Sequence, residues 1–104
     1  MKSTIQGFPY NTEKAIFVGE ADNVGDGAES SGDLMYWEAG LYLTPRKKRF
    51  FLAGRGGFLS RFNGKERIIP ITRGEALAFA CRFFDGETIK EHFESKGGRY
   101  EENN

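Results

Sequence analysis

The sequence predicts an α+β domain in which an antiparallel meander of three to four strands packs against two C-terminal helices. Strand-like alternation of apolar and polar residues fills the middle of the chain, whereas helical spacing of apolar residues begins only after residue 72. A chain of 104 residues with ten phenylalanines can build one modest core. We therefore expect a single domain spanning residues 1–104.

The first predicted strand covers residues 14–19, where β-branched and aromatic residues cluster. Residues 20–33 follow, with five acids, three glycines and almost nothing to bury. A connection of 14 residues is longer than most loops in compact domains. We expect this segment to be an acidic, flexible loop.

The clearest strand is predicted over residues 35–44, because apolar side chains occupy every second position along it. Pro45 suits a corner position, so residues 44–48 are predicted as a turn. Residues 49–54 then form the return strand, and the two strands together make a β-hairpin.

Glycines at positions 54, 56 and 57 predict an end or a bulge of that return strand. Residues 58–62 are predicted as a short further strand, followed by a turn at Asn63-Gly64. The apolar run over residues 67–71 contains Pro70, which cannot donate to a sheet ladder, so we expect an edge strand there.

Two helices are predicted at the C-terminal end. Thr72 and Glu75 match a capping box, and apolar residues recur after them at helical spacing (Leu77, Ala80, Cys81 and Phe84, widened by Ala76, Phe79 and Phe83). The second helix is predicted over residues 87–95, with Ile89 and Phe93 on its inner side. Residues 96–104 are expected to be a frayed tail.

The charge distribution is the strongest functional signal. The formal net charge is zero, yet the segment from Arg46 to Arg73 carries nine cations and one anion, while both flanks are acidic. Such a basic segment suits an anionic or nucleic-acid partner. The residues predicted to bind are Arg46, Lys47, Lys48, Arg49, Arg55, Gly56, Gly57 and Arg61.

The leading functional hypothesis is a small non-enzymatic interaction module that binds a partner protein, or a second copy of the chain, through this basic hairpin. The first alternative is a nucleic-acid binding protein that uses the whole basic segment, with Tyr42 or Phe58 as stacking groups. The second alternative is an uncharacterised enzyme that uses Glu38 and Ser60.

Three further patterns are weaker. Asp22, Asp26, Gly27 and Asp33 fit part of a calcium-loop frame, but Val24 stands where a ligand is needed. The glycines around Arg55 resemble a phosphate-binding turn, yet no helix follows them directly. Cys81 could pair with His92 only across two predicted helices, and we expect the thiol to be buried in the apolar helix.

No cofactor or metal site is predicted. Cys81 is the only cysteine, so no disulfide can form within the chain, and this fits a reducing compartment. The N-terminal residues contain no apolar signal-like segment, and no apolar run reaches the roughly 20 residues that span a bilayer. We therefore expect a soluble, cytoplasmic protein without membrane contact.

Between Asp33 and Phe84 the chain contains the segments DLMYWEAGLYLT, RFFLAGRGGFLSRF and IIPITRGEALAF. In these segments the sequence resembles a family of small uncharacterised bacterial proteins often found on plasmids, phages and conjugative elements. The matching positions are Tyr36, Glu38, Leu41, Tyr42, Thr44, Phe51, Leu52, Gly54, Gly56, Gly57, Ser60, Ile69, Pro70, Glu75 and Ala76. Residues 63–66 replace a longer glycine-rich insert of that family. The resemblance implies a mobile-element context but no particular activity, cofactor or catalytic residue.

Overall fold

A computed structural model describes residues 1–93 and contains six strands and two helices. In chain order they are β1 (Lys2–Ile5), β2 (Phe8–Asn11), β3 (Ile16–Asp22), β4 (Trp37–Leu43), β5 (Phe50–Gly56), β6 (Glu66–Ile71), α1 (Arg73–Phe83) and α2 (Gly86–Phe93). Strands β3 to β6 form one antiparallel sheet in sequence order, and β1 and β2 form a separate hairpin. The predicted α+β fold, a four-stranded meander with two C-terminal helices, is confirmed.

The inner face of the sheet, which the helices cover, carries the larger core. The alternation predicted along β4 is confirmed, because Ala39, Leu41 and Leu43 are all buried on this face. Leu52 of β5 is fully buried beside them. Burying a leucine side chain contributes roughly 1.5–3 kcal/mol, so this face supplies much of the stability.

The outer face of the sheet is covered in part by the β1–β2 hairpin. Tyr10 of β2 packs edge-on against Phe51 at 5.2 Å between ring centroids, and Tyr42 stacks on the same ring at 5.3 Å. Phe51 is therefore fully buried although it faces away from the helices. Burial on both faces explains why β5 begins with an unbroken apolar run instead of an alternation.

The N-terminal hairpin lies outside the predicted strands. Its strands have four residues each and pair with Ile5 opposite Phe8, which leaves a two-residue turn at Gln6 and Gly7. Both turn residues have positive φ, 53° and 83°, as a tight hairpin turn requires. Short, mostly exposed strands give no apolar alternation, so only the turn dipeptide could have revealed them.

The segment after β5 corrects one expectation. Residues 58–62, predicted as a short strand, form turns instead. Strand β5 itself continues to Gly56, and the side chain of Phe62 is fully buried under these turns. The turn at Asn63 and Gly64 is present, with φ values of 55° and 75°.

Strand β6 lies at one edge of the sheet, as Pro70 predicted. Thr72 caps α1 as expected, because its hydroxyl accepts from Glu75 N and Glu75 Oε1 accepts from Thr72 N. Two positions assigned to the buried side of α1 are wrong: Leu77 is 39% exposed and Cys81 is exposed. The buried residues of α1 are Ala76, Phe79 and Ala80, so the face that packs on the sheet is narrower than the apolar stripe.

The second helix begins at Gly86, one residue before the prediction, and Phe93 is buried on its inner side. The last two residues predicted for this helix and the expected frayed tail, residues 96–104, lie outside the described residues.

The acidic segment begins later than predicted, because β3 extends to Asp22 and so includes residues 20–22. Asn23 is buried and links the segment to β4: its amide nitrogen donates to Met35 O at 3.0 Å, and its side-chain oxygen accepts from Trp37 N at 2.8 Å. These two bonds determine where the chain leaves the sheet. Flexibility of the acidic segment stays a prediction.

Candidate binding site

Residues 44–49 connect β4 to β5 and form a turn that we call the basic turn. Thr44 N donates to Arg49 O and Arg49 N donates to the Thr44 hydroxyl, both at 2.9 Å, which closes the turn. All four cations of this turn are exposed, and no ion pair within residues 1–93 involves any of them (Arg46, Lys47, Lys48 and Arg49). The predicted binding residues of the hairpin are thus brought together.

A groove of about 570 Å³ lies between the basic turn and the N-terminal hairpin, and we call it the basic groove. Apolar residues from both elements line it (Phe8, Pro9, Ala15 and Pro45) together with four cations (Lys14, Arg46, Lys47 and Arg49). No carboxylate lines it within residues 1–93. The Arg49 guanidinium lies 3.6 Å from the centroid of the Phe8 ring, a cation–π contact that supports one wall.

Sequence reasoning missed half of this groove. Phe8, Pro9 and Lys14 lie in or after the N-terminal hairpin, which was not predicted, and no local pattern shows that the hairpin packs beside the basic turn. The Gln6-Gly7 turn is the one signal in the sequence that could have pointed to it.

The remaining predicted binding residues lie elsewhere. Arg55 is near the far end of β5, about 17 Å from Phe50 at the usual rise per residue. Gly56, Gly57 and Arg61 follow it in the chain, away from the basic turn. The residues predicted to bind therefore lie in two separate places, the basic turn and the stretch from Arg55 to Arg61.

Gly56 and Gly57 allow two backbone segments to approach each other. Gly57 N donates to Tyr36 O at 2.7 Å, and Gly57 O accepts from Gly64 N at 3.0 Å. A Cβ atom on Gly57 would lie 2.7 Å from the carbonyl carbon of Leu34. The Gly57 amide is thus committed to the fold, whereas a phosphate-binding turn needs free amides.

Arg55 is already partnered by an anion. Its Nε donates to Glu38 Oε2 at 2.9 Å, and the Tyr36 hydroxyl donates to Glu38 Oε1 at 2.5 Å. The bonds from Tyr36 and then Arg55 lower the pKa of Glu38, and the bond to Glu38 raises the pKa of Tyr36 to about 12. Arg55 therefore offers less free charge than the cations of the basic turn.

The part of the outer sheet face beside Arg55 carries the opposite charge. Asp22 lies opposite Glu38, and Glu20 lies opposite Gly40, on neighbouring strands. Phe17 packs against Tyr42 at 5.4 Å between ring centroids and is half exposed. A cavity of about 490 Å³ lies on this surface. We call the surface the acidic face, and it consists of Phe17, Glu20, Asp22, Glu38 and Tyr42.

The residues of the calcium-loop frame have separate partners. Asp22 accepts from Val24 N, and Asp33 accepts from the backbone amides of Met35 and Glu29, which lowers the pKa of Asp33. Asp26 pairs with Arg82 of α1. Within residues 1–93, no three His, Cys, Asp or Glu side chains are grouped to hold a metal ion.

Two sequence patterns with catalytic residue types, Ser60 with Glu38 and Cys81 with His92, can be compared with the geometry. The Ser60 hydroxyl donates to Gly57 O at 2.8 Å and accepts from Phe62 N at 3.1 Å, so it stabilises the turn after β5. Cys81 is exposed, contrary to the expectation of a buried thiol. Nothing in the described part of the chain joins Cys81 to His92 by a hydrogen bond.

No protein-family model, curated protein or solved structure matches this chain. The resemblance to small mobile-element proteins therefore stays a prediction. Neither helix described in residues 1–93 has the length and apolar character that crossing a bilayer requires.

Proposed function

We propose that this chain is a small non-enzymatic interaction module that binds an acidic, partly apolar segment of a partner protein in the basic groove. The observation that carries this proposal is the composition of the groove, which has an apolar floor bordered by four cations. No carboxylate of residues 1–93 lines it. An acidic segment with one or two apolar side chains satisfies both parts of such a surface, because its apolar groups leave water while its carboxylates meet guanidinium and ammonium groups.

The basic turn strengthens this proposal because its cations are free to bind. Neither Arg46 nor Lys47 forms an ion pair with another residue of the described chain, so no internal contact must break when an anion arrives. Arginine at such a position can bind a carboxylate through two parallel hydrogen bonds. The closed turn also holds these side chains on a rigid connection between two sheet strands.

Nucleic-acid binding is the second candidate, favoured by the exposure of the same four cations. It has less support because Arg55 is paired with Glu38 and lies about 17 Å from the start of β5. Binding of a nucleic-acid single strand typically uses cations along a continuous groove together with exposed aromatic faces. Phe8 in the groove is covered by Arg49, and Phe58, although exposed, lies in the turns beyond β5.

Fluorescence anisotropy tests the proposal with three labelled probes at low and high salt. The probes are a peptide of alternating glutamate and leucine, a lysine-leucine peptide of equal length, and single-stranded oligothymidine. We expect only the glutamate-leucine peptide to bind tightly, with affinity that falls as salt rises. The double variant Arg46→Glu/Lys47→Glu should weaken binding at least about 10-fold, since two attractive charges become repulsive.

Arg61→Glu/Lys65→Glu is the matched control, because it makes the same charge change in the exposed turns beyond β5. It should leave peptide affinity within about 2-fold at high salt, where long-range effects are screened. Equal loss in both variants would contradict the assigned groove. Tighter binding of oligothymidine than of the acidic peptide would favour the nucleic-acid candidate instead.

We also propose a cytoplasmic location in a bacterial cell carrying a mobile element. The support is Cys81, an exposed thiol that a reducing compartment keeps free, together with the resemblance of the sheet segments to mobile-element proteins. Fractionation of cells that express the tagged chain checks the location, and recovery in the periplasm would contradict it.

A further inference from the structure

Within residues 1–93, the acidic face is a part of the outer sheet face that the N-terminal hairpin does not cover. The N-terminal hairpin packs on Phe51 and Ile68 but leaves Phe17 half exposed on β3, the strand at the other edge of the sheet from β6. An aromatic ring with that exposure beside a charged surface is a typical contact residue for a protein partner. The floor beside it is made of residues with little or no side chain, which leaves room above the sheet (Gly40, Ala53 and Gly54).

Cations of residues 1–93 do not balance the charges of this face. Asp22 lies directly opposite Glu38, and like charges at such positions disfavour the sheet. Arg55 offsets only Glu38, through the hydrogen bond at 2.9 Å. Glu20 and Asp22 are exposed, and no ion pair within residues 1–93 includes either of them.

The acidic face and the basic groove complement each other in two respects. The face presents an exposed aromatic ring at one end and carboxylates along the rest, and the groove presents apolar residues bordered by cations. Glu38 and Asp22 lie about 17 Å along β4 from Leu43, where the basic turn begins, whereas Phe17 lies opposite Tyr42 near that turn. Both surfaces belong to the same sheet and its connections, so one chain cannot place its own acidic face in its own groove.

We propose that the acidic face of one copy docks in the basic groove of a second copy. This inference rests on the proposed function of the groove and names its partner. Phe17 enters the apolar floor near Pro9 and Pro45, while Glu20 and Asp22 meet Arg46 and Lys47. Because two different surfaces meet, each copy keeps one free groove and one free face, and the contact repeats head to tail.

Sedimentation equilibrium of the full chain tests this proposal at low and high salt. The wild-type chain should show a mass that rises with concentration above its monomer mass of 11.7 kDa, and high salt should reduce it. Two variants each remove one surface: Arg46→Glu/Lys47→Glu in the groove and Glu20→Lys/Asp22→Lys on the face. Each variant alone should stay monomeric.

The decisive sample is an equimolar mixture of the two variants. The groove variant retains a normal face and the face variant retains a normal groove, so exactly one contact can form between them. We expect a one-to-one dimer with no larger species. Near-ultraviolet circular dichroism of Trp37 and the tyrosines shows whether each variant is folded, and Arg61→Glu/Lys65→Glu should associate like the wild-type chain.

Different outcomes separate this inference from the proposed function. A wild-type chain that stays monomeric at low salt and still binds the glutamate-leucine peptide overturns the second copy as partner and leaves the groove assignment in place. Failure of both association and peptide binding overturns both. Assemblies larger than a dimer in the mixture, or association that survives in both variants, overturn the head-to-tail contact.

Discussion

Glu38 and Arg55 lie opposite each other on β4 and β5, and the Arg55 Nε donates to Glu38 Oε2 at 2.9 Å while Tyr36 donates to the other carboxylate oxygen. Both carboxylate oxygens of Glu38 therefore accept hydrogen bonds. Among the carboxylates of the acidic face, Glu38 is the one that pairs with a cation of residues 1–93, so it adds less uncompensated negative charge to that face than Glu20 and Asp22 do.

The phenol of Tyr36 should ionise late. Its bond to Glu38 raises the pKa of Tyr36 to about 12, so one tyrosine should titrate well after an ordinary phenol near pH 10. Absorbance at 295 nm during an alkaline titration measures this. Glu38→Gln should move the late step toward pH 10, and Tyr36→Phe should remove it; a late step that persists in Tyr36→Phe belongs to another tyrosine and contradicts the assignment.

The same shift links stability to pH. A folded pKa raised above the unfolded value gives stability that is fully present below pH 10 and is lost as pH rises toward 12. The free energy of unfolding should therefore fall more steeply between pH 10 and pH 12 in the wild-type chain than in Tyr36→Phe. Urea denaturation at several pH values checks this, and parallel curves would contradict it.

At acidic pH, the dependence of the free energy of unfolding on pH has the opposite sign. The bonds from Tyr36 and Arg55 lower the pKa of Glu38, so its contribution is present above the ordinary glutamate value of 4.5 and is lost as pH falls below it. Glu38→Gln should flatten this part of the stability profile. Urea denaturation between pH 6 and pH 3 measures the difference, and an unchanged acid limb would contradict the linkage.

Gly57 should not accept a side chain. A Cβ atom there would lie 2.7 Å from the Leu34 carbonyl carbon and 2.8 Å from Asp33 O, both rigid backbone atoms. Gly57→Ala should cost about 1–3 kcal/mol of unfolding free energy, as overpacking does. Gly86→Ala is the matched control, because nothing lies within 4 Å of its Cβ position at the start of α2; it should be neutral or stabilising by up to about 1 kcal/mol. Equal effects in thermal melts would contradict the close approach.

The capping box should contribute to the stability of α1. Thr72→Ala removes the hydroxyl that accepts from Glu75 N at 3.1 Å and should cost about 0.5–2 kcal/mol in urea denaturation. Thr72→Ser keeps an equivalent hydroxyl and should recover most of that loss. If serine and alanine are equally destabilising, the hydroxyl is not the cause.

The thiol of Cys81 should react in the folded chain. It is exposed on α1, so a thiol-specific disulfide reagent should label it within about 10-fold of the rate seen for the unfolded chain. Labelling that begins only when denaturant unfolds the domain would show a buried thiol and contradict the exposed position.

Local signals in the sequence predict most of the elements. Alternation predicts β4, Pro45 predicts the turn after it, Pro70 predicts an edge strand, and Thr72 with Glu75 predicts the start of α1; the structure confirms all four. These signals are readable because strand and helix periods, fixed proline geometry and capping bonds act within a few residues of chain. The charge of the basic turn is readable for the same reason.

The folded structure was needed to show which distant segments share a surface. It places Phe8 and Lys14 beside Arg46 to form the basic groove, pairs Arg55 with Glu38, and leaves Cys81 on the exposed side of a helix that reads as apolar. The reason is that packing depends on shape and burial summed over the whole domain, and no local period records which faces meet. The basic turn and Arg55, which lie close together in the sequence, are therefore at opposite ends of β5 in the fold.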